Sequence, residues 1–87
     1  MRDIAKIIRR THAKNASIEV EIVRVPQAGQ AHRVFWRFTR PPDPRVIQVE
    51  SPDGMCPFIL GSSQGDARLV GTYIPEVVEI ICSLLKP

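Results

Sequence analysis

Two turn signals, a glycine at position 29 and the run PPDP at 41–44, cut residues 17–50 into three segments whose apolar side chains alternate. Few folds satisfy that constraint. In SIEVEIVRV, residues 17–25, Ile18, Val20 and Ile22 share one side, and Glu19 and Glu21 the other. In RVFWRFTR, residues 33–40, Val34, Trp36 and Phe38 oppose Arg33, Phe35 and Arg37. RVIQVE, residues 45–50, puts Ile47 and Val49 together. A period of two is the signature of strands with one face buried. No strand or helix runs through four residues holding three prolines.

The turns then fix the pairing. Centring the first hairpin on Gly29 sets Val20 against Phe38, Ile22 against Trp36, Glu21 against Arg37 and Val23 against Phe35. Centring the second on PPDP sets Phe38 against Ile47, Trp36 against Val49, Phe35 against Glu50 and Arg37 against Gln48. Slipping either by one residue scatters the apolar groups over both faces. A three-stranded antiparallel meander is the reading.

Residues 3–14 read as a helix, with Ile4, Ile7, Ile8 and Thr11 on one face and Arg2, Lys6, Arg9 and Arg10 on the other, and Asn15 as its stop. Residues 57–61 and 67–73 read as two further strands about the loop SSQGD, with their register open. A second helix runs from about Pro75 to about Leu85, proline suiting the first turn. Its apolar residues cover more than half the circumference, which buries it between the sheet and the first helix or leaves part for a partner. The expected fold is α+β, order α-β-β-β-β-β-α. An antiparallel sheet of four to five strands is flanked by the two helices, both on the face of Ile22, Trp36, Phe38, Ile47 and Val49. Residues 1–87 make one domain, since a chain this short hides roughly 60–65 % of its unfolded surface, enough for one core.

Composition removes several classes. The apolar share is 44 % and the charged share 24 %, which is globular and not disordered. No apolar run approaches the roughly 20 residues of a membrane-spanning helix. The opening MRDIAKIIRR carries an acid in a mixed pattern unlike a signal peptide, so a reduced cytoplasmic protein is expected. No membrane partner is expected either: the first helix lacks the Trp, Phe or Leu that would seat it in a bilayer. Cys56 and Cys82 form no CxxC, and His12 and His32 lie in the other half, so neither a metal nor a cofactor is expected.

Catalytic patterns are equally thin, and no catalytic residue is assigned. GSSQG at 61–65 is not the G-x-S-x-G elbow, and neither GxxxxGK[ST] nor GxGxxG occurs. Glu19 and Glu21 face Thr39 and Arg37, which makes them ion-pairing residues before they are an acid/base pair. Cys56 with His32 would make a thiol–imidazole pair, but nothing in the sequence brings them together.

Two binding readings remain. The sheet face away from Trp36 mixes Val23, Val25, Phe35, Thr39 and Val46 with charges of both signs. Glu21, Val23, Arg33, Phe35, Arg37 and Glu50 are its candidate residues for gripping another protein or a second copy of the chain. A non-catalytic accessory or interaction protein is thus expected. Its size and build are similar to those of small immunity and inhibitor proteins, an analogy of architecture that no motif carries. The alternative is nucleic acid. Residues 1–45 hold ten Lys/Arg against four Asp/Glu, whereas 46–87 hold two against five. Lys6, Arg9, Arg10, Arg24, Arg40 and Arg45 would carry it. RVFWRFTR resembles the basic–aromatic strands of base-stacking sheets only superficially. Trp36 and Phe38 turn inward, and Glu21 and Glu50 flank the Phe35 that stays outside.

Overall fold

The computed structural model describes residues 2–27, 30–63, 65 and 67–87, with backbone alone at 27 and 30–33. The elements are α1 (Asp3–Lys14), β1 (Glu19–Gln27), β2 (Gln30–Thr39), β3 (Val46–Glu50), β4 (Phe58–Ser62), β5 (Arg68–Gly71) and α2 (Ile74–Leu84). The strands form one antiparallel sheet in the order β1-β2-β3-β4-β5, a pure meander. The fold is the α+β arrangement that the alternation implies, with five strands.

Every cross-strand pair derived from the two turns is present, from Glu21–Arg37 and Ile22–Trp36 to Phe38–Ile47 and Trp36–Val49. Gly29, on which the sequence centres the first hairpin, and Gln64 and Asp66 of the SSQGD loop lie outside the described residues; at the described end of that hairpin the register shifts, and Gln27 pairs with Gln30. The register that the sequence left open pairs Ile59 with Val70 and Leu60 with Leu69. One helix-side row therefore crosses the whole sheet: Ile22, Trp36, Val49, Leu60, Leu69.

Both helices pack on that side. Ile4 and Ile7 of α1 and Val77, Val78 and Ile81 of α2 share a buried cluster with Trp36, Phe38, Ile47, Val49, Phe58 and Leu60. Thr11 continues the buried stripe of α1, and its hydroxyl, wholly enclosed, has no hydrogen-bond partner among the described residues. The helix stops at Asn15 by a local device: the residue is extended, and its Oδ1 accepts the Ser17 N–H at 3.0 Å. The first turn of α1 is tied to the 51–57 turn. Ile4 N–H donates to the Gly54 carbonyl at 3.0 Å, and Cys56 N–H donates to Asp3 Oδ2 at 2.9 Å. Gly54 has φ +76°, and a side chain there would press on Arg2 and Ile4, so glycine is required twice over. In α2, Pro75 sits in the first turn, and Glu76 reaches back to accept the Thr72 N–H at 2.6 Å.

The helix layer is smaller than the sheet. A ten-residue strand such as β2 runs about 33 Å, a twelve-residue helix only about 18 Å. Ile22, on the edge strand, is accordingly 51 % exposed rather than sealed in the core, a correction to the reading that grouped it with Trp36. Leu69, at the opposite edge of the same row, is also exposed. Among the described residues no helix is long and apolar enough to cross a membrane.

Candidate functional site

The face turned away from the helices is built by the same alternation. Reading across the five strands, one row is Val23, Phe35, Glu50, Ile59, Val70, and the next is Glu21, Arg37, Gln48, Gly61, Arg68. No helix lies over either row: Ile59 is 46 % and Val70 59 % exposed, and Val25 is exposed as well. Large apolar groups in water on adjacent strands form a patch, whereas isolated ones would signify nothing.

Of the six sequence-derived candidates for this face, Glu21 and Arg37 form an exposed ion pair at 3.3 Å. Glu50 accepts a hydrogen bond from Gln48 Nε2 at 2.6 Å. Val23 is half-buried. Arg33 pairs with Val25 through the backbone, and its side chain lies outside the described residues. Phe35 requires a correction. It stands on this face between Val23 and Glu50, but only 7 % of it is exposed, so its ring is not the accessible aromatic that alternation alone suggests. Flanking side chains on a sheet can cover a flat ring without any second layer. The accessible apolar surface lies one strand further on, at Ile59 and Val70, which sequence reasoning missed. Phe58, Ile59 and Leu60 are consecutive apolar residues, and such a run does not reveal which member faces out. Beside them Gly61 leaves a shallow depression of about 230 Å³ lined by Val46, Gln48, Ser62, Ser63 and Arg68, with Arg68 Nη1 held 3.2 Å from where a Cβ would sit.

The six basic residues of the nucleic-acid reading do not form one surface. Arg40 and Arg45 close the C-terminal end of α2. Arg40 Nε donates to the Leu85 carbonyl at 2.6 Å, and Arg45 donates to the Leu84 carbonyl at 2.8 Å and to the Lys86 carbonyl. These are the acceptors that a helix end leaves without partners. Asp43 lies between the two guanidinium groups, 2.8 Å from Arg40 Nη2 and 2.6 Å from Arg45 Nη2. Arg24 projects from β1 on the helix side, opposite Val34. Lys6, Arg9 and Arg10 remain on the outward surface of α1 and make no ion pair among the described residues, while Lys14 lies 3.7 Å from Glu79.

The clamp predicts a pH response. The Arg45 guanidinium, then the Arg45 backbone N–H, hold the Asp43 carboxyl down at about 2 from an ordinary 3.8. A folded-state value below the unfolded one contributes stability above the unfolded value and loses it as pH falls. Denaturant unfolding followed at successive pH values should therefore find wild type losing stability between about pH 4 and pH 2. Asp43→Asn should be less stable at neutral pH and flatter across that window. Parallel curves would refute the clamp.

Chemistry elsewhere is sparse. Burial, then the Asp3 hydrogen bond and charge, push the Cys56 thiol up, the reverse of an activated nucleophile. The His32 ring, its only suggested partner, lies outside the described residues. Burial raises Cys82 too. Among the described residues no three His, Cys, Asp or Glu side chains converge as metal ligands. Compared with protein-family models, with curated proteins and with solved structures, the chain matches none.

Proposed function

We propose that this protein is a non-catalytic binding module that docks another protein on its uncovered sheet face. The observation that carries the reading is the exposure of Ile59 and Val70 side by side on a face where no helix packs, the face that also carries the Glu21–Arg37 pair. Exposed apolar groups sharing a face with charges of both signs suit a protein interface: burial supplies affinity and the charges set orientation. Such a module works by occupancy, as an accessory or inhibitory protein does. The nucleic-acid reading is left with Lys6, Arg9, Arg10 and the exposed Arg24 once Arg40 and Arg45 are committed to the end of α2. Four phosphate contacts give a shallower salt dependence than the six to ten of a typical site, roughly 150-fold between about 50 and 200 mM salt.

The test is comparative capture from nuclease-treated lysate of the source cells. Wild-type protein should retain a partner that Ile59→Glu/Val70→Glu loses and that Lys6→Glu/Arg9→Glu/Arg10→Glu keeps. Equal retention by the sheet variant overturns the reading. So does material that disappears with nuclease and depends on α1.

A further inference from the structure

The charges on the uncovered face are not evenly spread. The β1 edge contributes two carboxylates, Glu19 and Glu21, and the β5 edge contributes Arg68, which has no ion pair among the described residues. From this polarity, and resting on the reading of the face as a protein interface, we infer that its partner is a second copy of the chain, stacked face to face about a two-fold axis along β3.

The geometry follows from the register. Rotation about an axis parallel to the strands lays β1 of one copy over β5 of the other and β2 over β4. Glu21 then meets the partner's Arg68, Val23 meets the partner's Val70, and Phe35 meets the partner's Ile59. Exposed apolar groups on β4 and β5 are thereby covered by the less exposed ones on β1 and β2. Arg37, already paired with Glu21 at 3.3 Å, comes over Gly61 of the other copy, where the Arg68 guanidinium also lies, so Glu21 stands between two cations. The alternative axis, running across the strands, sets Glu21 against Glu21, Arg37 against Arg37 and Arg68 against Arg68. Like charges opposite one another reject that arrangement. Two sheets packed with strands aligned to within about 30° make a sandwich, the usual way an apolar sheet face is hidden. The arrangement has two unfavourable elements: Arg37 approaches the other copy's Arg68 guanidinium over Gly61, and Glu50 faces its own copy at the axis.

Sedimentation equilibrium decides the matter. Wild type should approach twice the 9.8 kDa chain mass as concentration rises. Glu21→Arg and Arg68→Glu should each raise the dissociation constant at least about tenfold, and the two together should recover most of the loss, because the pair is re-formed with its signs exchanged. Circular dichroism confirms that each variant is folded, and Val70→Asp serves as a further disrupting variant should Glu21→Arg not fold. A wild-type chain that stays monomeric overturns the inference, as does a double variant no better than its singles. If the chain is monomeric yet capture still depends on Ile59 and Val70, the self-pairing fails and the binding face stands. If neither holds, both fail.

Discussion

Trp36→Ala should cost about 3–5 kcal/mol of folding stability, the range for deleting a large aromatic from a packed site. An 87-residue chain has roughly 4–13 kcal/mol in all, so the variant sits at or near the edge of folding. The indole is 6 % exposed and lies at the junction of three elements. It pairs with Ile22 and Val49 across the strands, and it meets Phe58 edge to face with ring centres 6.4 Å apart. Its Cη2 is 3.7 Å from where a Cβ on Gly54 would be, in the turn that anchors α1. Truncation therefore loosens sheet, turn and helix together. Denaturant titration should be followed by far-ultraviolet circular dichroism, because the substitution removes the protein's one tryptophan. Ile22→Ala is the matched comparison: same row, neighbouring strand, half its surface in water, expected cost below about 1 kcal/mol. Equal losses at the two positions would mean that the helix layer reaches further over β1 than Ile22's exposure implies.

That contrast marks how far alternation can be read. Between residues 17 and 50 each strand has its own period-two pattern and each turn its own breaker, so register is overdetermined and the pairs follow one by one. Past residue 57 the pattern fails. Phe58, Ile59 and Leu60 are all apolar, and only the paired Val70 and Leu69 on β5 reveal that Ile59 faces out. The candidate face was thus legible on its β1–β3 half and dark on its β4–β5 half, where its most exposed apolar groups lie. Phe35 illustrates a second limit. Alternation assigns a face but not an exposure, and a ring on an uncovered face can still be nearly buried by its neighbours. Arg40 and Arg45 illustrate a third. Nothing local distinguishes an arginine that caps a helix some forty residues away from one that faces solvent; only Asp43, two and three positions from them, hints that the charges are already paired. The helices were legible in place and extent because their ends carry local chemistry, the Asn15 stop and Pro75 in the first turn.

Gly71→Ala should destabilise the protein by about 1–3 kcal/mol through overpacking. Gly71 ends β5 opposite Phe58, three residues before α2 begins. A Cβ at that position would lie 2.4 Å from Val77 Cγ2 and 3.4 Å from the Val77 Cα. Val77 is fully buried on the first turns of α2, and a valine in a helix holds essentially one side-chain rotamer. The methyl cannot swing aside, and the helix backbone behind it blocks retreat, so α2 itself must move off the sheet. Opposing this, alanine narrows the unfolded ensemble and returns roughly 0.4–1 kcal/mol, which the clash must exceed. The argument is one of space, so it has a specific rescue. Gly71→Ala combined with Val77→Ala should be less destabilised than the sum of the single variants, since each removes part of what the other suffers. Gly65→Ala is the control: no described residue beyond its chain neighbours lies within 4 Å of a Cβ there, and the change should fall within about 0.5 kcal/mol. Should chemical denaturation give Gly71→Ala and Gly65→Ala the same midpoint, the close seating of α2 against the end of β5 would be wrong.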